Sequence, residues 1–250
     1  MSARWPVALQ AFALLLGAAT ARAGPPYATD DPEPVPYQHW ELYLATQHAH
    51  DADGWSGAAP ELEVNYGVLP TMQLHLVAPL SYVQPAAGPA QYGYGDTELG
   101  LKCRSIPEGD WLPQVGVFPL LEVPTGSRSR GLGNGIAQLY LPVWLQKSFG
   151  PWTSYGGFGY WFNPGEGQRN WWFFGWQLQR RIADGVAVGA EIFHTTPKDA
   201  AGGPETRFNV GAVVDLGDTH HLLLSAGRGL QGPNLFQGYF AYQLTFGPGE

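Results

Sequence analysis

The stretch DTELGLKCR, residues 96–104, alternates polar and apolar side chains along its whole length. Its charged residues, Asp96, Glu98, Lys102 and Arg104, share one parity, while the other parity is mainly apolar. Because successive side chains of a β-strand point to opposite faces, the stretch predicts a strand with one charged and one apolar face. The pattern recurs about a dozen times between Gly-, Pro-, Asn- and Asp-rich loops. A sheet that needs polar and apolar surroundings at once is typical of a transmembrane β-barrel.

Strand candidates and their connections favour a particular topology. The candidates lie at 38–48, 60–68, 72–82, 94–104, 113–123, 136–147, 153–162, 171–182, 186–195, 206–216, 220–229 and 235–246. Odd-numbered connections, beginning with residues 50–56, are mostly long and polar, whereas most even-numbered ones are tight. Long outer loops, short periplasmic turns and an even strand number are features of outer-membrane barrels. We therefore predict an all-β fold, a closed antiparallel transmembrane β-barrel of about 12 strands with a short N-terminal extended segment.

The N-terminus has the features of a secretory signal peptide. Arg4 supplies the positive start, residues 7–19 are apolar, and Ala21-Arg22-Ala23 is a small-x-small cleavage site. The apolar run is shorter than the roughly 20 residues of a membrane-spanning helix, which disfavours an uncleaved anchor. We predict a signal peptide at 1–23, a Pro-rich acidic periplasmic lead at 24–37 and a barrel at 38–250. The predicted location is the bacterial outer membrane.

Composition narrows the choice of partners. The formal net charge is −8 and no basic tract is present, which argues against a nucleic-acid partner. Charged residues make up 14% of the chain, whereas soluble domains contain about 25%. The single cysteine, Cys103, excludes an internal disulfide and lies on the apolar parity of its strand. The expected partners are outer-membrane lipid and a small-molecule solute, and the oligomeric state stays open.

The polar parity should line the lumen, and the apolar parity should face lipid. The candidate lumen and binding residues are Glu61, Glu63, Asp96, Glu98, Lys102, Arg104, Arg181, Glu191 and Arg207. An acidic excess on this parity, to which Glu122 contributes, would favour cations or neutral polar solutes. Alternatively, these charges pair across strands and close the lumen. Tryptophans near strand ends suit interface girdles or fill space: Trp40, Trp152, Trp161, Trp171 and Trp172.

The acidic lead emerges at the mouth where three lumen bases should cluster. The bases are Lys102, Arg104 and Arg181, and the acids of the lead are Asp30, Asp31 and Glu33. We predict that the lead folds inward, so that its carboxylates meet these bases and form a partial plug or gate. The alternative is a disordered periplasmic tail.

Several segments resemble a known family. They include PYATDDPEPVPYQHWE (26–41), GDTELGLKCR (95–104) and PLLEVPTG (119–126). These residues resemble the outer-membrane barrel proteins grouped under "MetA-pathway of phenol degradation". The resemblance implies a barrel that moves small, often aromatic, molecules across the outer membrane. Together with the lumen pattern, it suggests a passive channel, with a non-conducting structural or interaction barrel as the alternative.

The sequence supports an enzymatic or metal-binding function less well than a channel. A lipid hydrolase needs a Ser–His pair with an orienting group, and the candidate histidines are His194, His220 and His221. No serine lies at strand-pair distance from His194, and the other two, near Ser225, fall at a predicted periplasmic turn. His48 and His50 have metal-ligand spacing beside Asp51 and Asp53, but a solvated acidic loop is the simpler interpretation. We predict no catalytic residue, metal or cofactor.

Overall fold

The computed structural model describes residues 25–248, and the predicted signal peptide lies outside them. Within this range the chain forms fourteen β-strands and a short 3₁₀ helix at Arg128–Arg130. The strands are β1 (Trp40–Asp51), β2 (Gly54–Leu69), β3 (Met72–Pro85), β4 (Gln91–Tyr94), β5 (Thr97–Ile106), β6 (Gln114–Val117), β7 (Leu120–Val123), β8 (Gln138–Phe149), β9 (Trp152–Phe162), β10 (Trp171–Ala183), β11 (Val186–Thr195), β12 (Glu205–Asp215), β13 (His220–Gln231) and β14 (Phe236–Phe246). No helix in this part of the chain reaches the length and hydropathy needed to cross a bilayer.

The fourteen strands close into a barrel of twelve spanning segments. All neighbours pair antiparallel, and β1 closes the ring by pairing with β14 from Trp40↔Phe246 to His50↔Phe236. β4 and β5 both pair with β3, so they form one spanning segment that is interrupted at residues 95–96. β6 and β7 both lie between β5 and β8 and form another segment, interrupted at residues 118–119. The predicted twelve-stranded barrel is confirmed.

The two interruptions were not predicted, since both segments were expected to be continuous strands. Pro119 has no N–H group and cannot donate a ladder hydrogen bond, although its carbonyl still accepts one from Leu101. At the other interruption the Gly95 N–H donates to the carbonyl of Pro79 on β3. Asp96 therefore lies between two strands rather than on the charged face of one.

The two side-chain parities divide as expected between the exterior and the lumen. On β2, Leu62 is 46% exposed on the outside of the barrel, whereas its neighbours Glu61 and Glu63 are each 6% exposed inside it. Cys103 lies on the exterior parity of β5, opposite Met72 and Val117 in the adjacent strands. The apolar exterior is the surface that a transmembrane barrel presents to lipid.

The first connection differs from the prediction. A long loop was expected over residues 50–56, but only Ala52 and Asp53 separate β1 from β2. The turn is tight because Gly54, at φ +133°, adopts a conformation that other residues rarely reach, and it pairs with Asp51. His50 is therefore a strand residue and not part of a loop.

Candidate functional site

The N-terminal lead, residues 25–36, lies inside the barrel. Thr29 and Asp31 have no solvent exposure, and Val35 is also buried. The lead joins the wall at β2, where Gln38 N donates to Gly67 O at 2.7 Å. Prolines at five of these twelve positions prevent the lead from forming a regular ladder, so lumen side chains satisfy several of its backbone groups instead.

Glu191 on β11 binds the backbone of the lead. Its Oε1 accepts a hydrogen bond from Ala28 N at 2.9 Å, and its Oε2 accepts one from Thr29 N at 2.8 Å. Across the lumen, Gln73 Oε1 accepts from Val35 N at 2.8 Å. The sequence placed Glu191 in the lumen, but nothing local to it indicated a contact with the lead.

Ion pairs connect the lead to β5. Lys102 Nζ lies 2.9 Å from Asp30 Oδ1 and 3.5 Å from Asp31 Oδ2, and the lysine side chain is only 5% exposed. Arg104 Nη1 lies 2.6 Å from Glu33 Oε1. Burial raises the pKa of the Asp31 carboxyl well above its usual range, and the Lys102 ammonium acts in the opposite direction.

The third base predicted to meet the lead, Arg181, does not reach its acids, and neither does the predicted lumen base Arg207. Arg181 is exposed and forms no salt bridge with any residue from 25 to 248. Arg207 pairs with Glu205 on its own strand and donates to Gln237 Oε1 at 3.1 Å. The lead thus contacts the bases of β5 alone, because the path it takes does not bring its carboxylates to Arg181.

Glycines on the lumen parity make room for the lead. A Cβ at Gly175 would lie 2.3 Å from Thr29 Oγ1, and a Cβ at Gly116 would lie 2.8 Å from Pro32 Cβ. A Cβ at Gly189 would lie 2.8 Å from the Tyr27 hydroxyl. These glycines were visible in the sequence as gaps in the polar parity, and they are a signal that the sequence interpretation missed.

A cavity of about 980 Å³ lies between the lead and residues 131–134 of the loop 124–137. Asp96 holds this loop, since its Oδ1 accepts from Gly126 N at 2.8 Å and its Oδ2 from Asn134 N at 2.5 Å. Leu132 of the loop is buried and lines the cavity. Asp96 thus accepts hydrogen bonds from the loop backbone with both carboxylate oxygens and also lines the cavity.

One wall of the cavity is acidic. Its carboxylates include Glu61, Glu63, Glu98 and Glu122. Among them lies His75, whose Nε2 is 2.9 Å from Glu98 Oε1 and whose Nδ1 is 2.7 Å from Asn65 Oδ1. Since both ring nitrogens face acceptors, the arrangement fits a doubly protonated imidazolium.

An aromatic cluster begins beside the acidic wall, where Phe118 meets the His75 ring edge-on at 5.1 Å, and continues across the lumen. A buried cluster there comprises Phe118, Leu120, Tyr140, Trp144, Phe173 and Phe193. Trp161 stacks on Tyr140 with ring centroids 4.7 Å apart, and Trp171 stacks on Trp161 at 5.3 Å. Trp161 and Trp171 thus pack in the lumen and are not part of an interface girdle, whereas Trp40 and Trp172 are exposed on the exterior.

The residues considered for hydrolysis or metal binding have other contacts. Ser225 Oγ donates to Pro26 O at 2.5 Å, and His221, four residues earlier on the same strand, is about 13 Å away by strand geometry. His194 Nδ1 lies 2.9 Å from Thr206 Oγ1, and His48 Nδ1 lies 2.6 Å from the Tyr82 hydroxyl. Within residues 25–248, no three His, Cys, Asp or Glu side chains are grouped to hold a metal ion.

The structure is similar to solved bacterial outer-membrane barrels. An outer-membrane channel from Pseudomonas putida F1 superposes with a TM-score of 0.70 at 19% identity, covering 86% of this chain and 98% of that one. The NanC porin gives a TM-score of 0.54 at 7% identity over 82% of this chain and 98% of that one. The KdgM porin, solved in complex with disordered oligogalacturonate, gives 0.53 at 9% identity over 83% and 98%.

Sequence comparison adds no family assignment. No family model matches the chain, and no curated protein matches it either. At the identities above, the structural similarity concerns the fold. The closed antiparallel barrel with an apolar exterior therefore defines the class of the protein as a bacterial outer-membrane β-barrel.

Proposed function

We propose that this barrel is an outer-membrane channel that passes small molecules by passive diffusion. The observation that carries the proposal is the cavity of about 980 Å³, which the closed wall encloses between the lead and the loop 124–137. Ligand sites of small molecules typically measure about 300–1,000 Å³, so the cavity can hold a solute of that size. The structurally similar proteins are a channel and two porins, which favours the same role.

We further propose that the lead, within the predicted segment 24–37, acts as the plug of this channel. Its contacts reach opposite walls, since Glu191 on β11 and Gln73 on β3 both bind its backbone. The ion pair between Lys102 and Asp30 adds a buried electrostatic contact on β5. A covalently attached segment held by hydrogen bonds and ion pairs can leave and return without being lost, as a gate requires.

The alternative is a non-conducting barrel, and the buried contacts of the lead are the observation that favours it. Liposome swelling separates the two proposals. The wild-type protein and a variant lacking residues 29–34 are reconstituted and exposed to sugars, amino acids and small phenols. The phenols test the substrate class that the resemblance to the MetA-pathway family implies. A channel with a plug predicts measurable swelling for the wild type and faster swelling for the deletion.

A matched control shortens an exposed connection instead. Residues 201–203 lie between β11 and β12 and are fully on the surface, so their removal should leave the swelling rate unchanged. Equal swelling of wild type and the 29–34 deletion would support a channel and contradict the plug. If no solute causes swelling with either protein, the channel proposal is wrong and the non-conducting barrel is favoured.

A further inference from the structure

We infer that the cavity binds small organic cations, namely amines that carry an aromatic or other apolar body. The inference rests on the proposed channel function, whose solute class it names. It begins with Glu61 and Glu63, which are each 6% exposed and line the cavity. Gln47 Nε2 donates to Glu61 Oε1 and Asn65 Nδ2 donates to Glu63 Oε1, both at 2.7 Å. No further hydrogen bond from residues 25–248 reaches either carboxylate, and neither Oε2 atom is a fully buried unpartnered one, so both carboxylates stay open to the cavity.

The protein supplies little positive charge to this wall. The nearest cationic group is His75, whose Nδ1 lies 3.6 Å from Glu63 Oε1, and its Nε2 is engaged by Glu98. Lys102 is already paired with Asp30 and Asp31 of the lead. Glu63 therefore shares the charge of His75 with Glu98, whereas Glu61 forms no salt bridge within residues 25–248. A carboxylate of low exposure is unfavourable without a counter-charge. A ligand that brings both a positive charge and N–H donors would satisfy Glu61 and Glu63 together.

The wall that lies across the lumen from Glu61 and Glu63 is suited to the apolar part of such a ligand. β10 is six spanning segments from β2 in the twelve-segment ring, so Trp171 and Phe173 face the side that carries Glu61 and Glu63. Thr195, in register with Phe173, also lines the cavity. It is 3% exposed, and its hydroxyl has no hydrogen-bond partner in the described chain. This wall thus offers aromatic faces together with one unpartnered hydroxyl.

The aromatic faces of the cavity already receive ammonium groups from the protein itself. Lys102 Nζ lies 4.9 Å from the centroid of the Phe118 ring, and Lys198 Nζ lies 4.9 Å from that of Trp171. Both rings line the cavity. Cations are attracted to the faces of such rings at this distance. Carboxylates on one wall, with cation-accepting rings both beside them at Phe118 and across the lumen at Trp171, favour a cation with an apolar body over a neutral molecule or an anion.

Calorimetry with three ligands of similar shape tests the inference. Benzylammonium, benzyl alcohol and benzoate are titrated into the full-length mature protein in detergent. We expect benzylammonium to bind at least about tenfold more tightly than benzyl alcohol, since hydrogen bonds to charged groups are stronger than those between neutral groups. Benzoate should show no binding. The variant E61Q/E63Q keeps the shape of both side chains and should weaken benzylammonium binding about tenfold or more, while benzyl alcohol binding stays within about twofold of wild type.

The control variant is E166Q, which removes a carboxylate from an exposed loop outside the cavity. It should bind all three ligands as the wild type does. Equal affinity of the wild type for the three ligands, absence of benzylammonium binding, or full affinity in E61Q/E63Q would overturn the inference. The first two outcomes need no variant, so misfolding of E61Q/E63Q cannot hide them. Swelling with sugars but no amine-selective binding would overturn this inference alone, whereas selective binding without swelling would overturn only the channel.

Discussion

Replacing Lys102 with methionine should release the lead from the barrel. The substitution keeps an unbranched side chain but removes the ammonium that lies 2.9 Å from Asp30 and 3.5 Å from Asp31. Removing one partner of a buried ion pair costs about 3–5 kcal/mol. The lower figure applies here because the Asp31 carboxyl, whose pKa burial raises, can take up a proton instead of remaining charged. A loss of about 3 kcal/mol corresponds to a roughly hundredfold shift toward the undocked lead.

Amide hydrogen exchange of residues 25–36, followed by mass spectrometry, measures this shift. In the docked lead, the amides of Ala28 and Thr29 are bonded to Glu191, and that of Val35 is bonded to Gln73. Exchange of these amides requires the lead to open, so its rate reports the docking equilibrium. K102M should therefore accelerate exchange of this segment roughly a hundredfold relative to wild type.

A second lysine provides the matched control. Lys147 Nζ lies 3.0 Å from Glu108, but the two side chains are 33% and 24% exposed, and neither residue touches the lead. Exposed pairs contribute at most about 1 kcal/mol, so K147M should leave exchange of residues 25–36 unchanged. Wild-type exchange rates in K102M, or equal acceleration in K147M, would refute the assignment of Lys102 as an anchor of the lead.

Three further predictions concern the lead, the inward loop and the lipid face. Because burial raises the pKa of Asp31, this group favours the docked lead at low pH and opposes it as the pH rises through the raised value. D31N should therefore slow amide exchange of residues 25–36 at pH 8. D30N, which breaks the pair with Lys102, should accelerate that exchange. If both variants changed the exchange rate in the same direction, the assigned role of Asp31 would be wrong. In the wild type, the two carboxylate oxygens of Asp96 accept separately from Gly126 N and Asn134 N, and D96N leaves only one oxygen to accept. The loop 124–137 should loosen, and single-channel conductance should rise. Unchanged conductance would contradict the role of Asp96. L76R places a charge on the apolar exterior of β3 and should destabilise the barrel by up to about 4 kcal/mol in denaturant titrations in lipid vesicles.

The faces and the number of spanning segments could be predicted because both follow from local sequence. Alternation with a period of two places Glu61 and Glu63 in the lumen and Leu62 outside without knowledge of any partner strand. The alternation of long and short connections then orders the segments around the ring. The first connection escaped this rule because a single glycine, Gly54, tightens a turn that its polar neighbours made look like a long loop.

Positions at strand ends and breaks could not be predicted in the same way. Trp161 and Trp171 lie near strand ends, where a lipid-interface girdle and a lumen stack give the same sequence pattern. The stacking of Trp161 on Tyr140 and of Trp171 on Trp161 depends on the register of β8, β9 and β10. Asp96 has the parity of a lumen strand residue, yet the break beside it and the approach of the loop 124–137 give it different partners.

By itself, the sequence determined that this chain forms a closed barrel with a charged and polar interior, because a period of two is a property of each strand alone. Only the tertiary structure decided which interior groups meet the lead. Asp30 and Lys102 are 72 residues apart, and Thr29 and Glu191 are 162 apart. Contacts over such separations depend on strand register around the whole ring and on the glycine gaps through which the lead passes. The stretch 96–104 shows both levels, since its alternation predicted a strand, while Lys102 acquires its partners only when the barrel closes around residues 30 and 31.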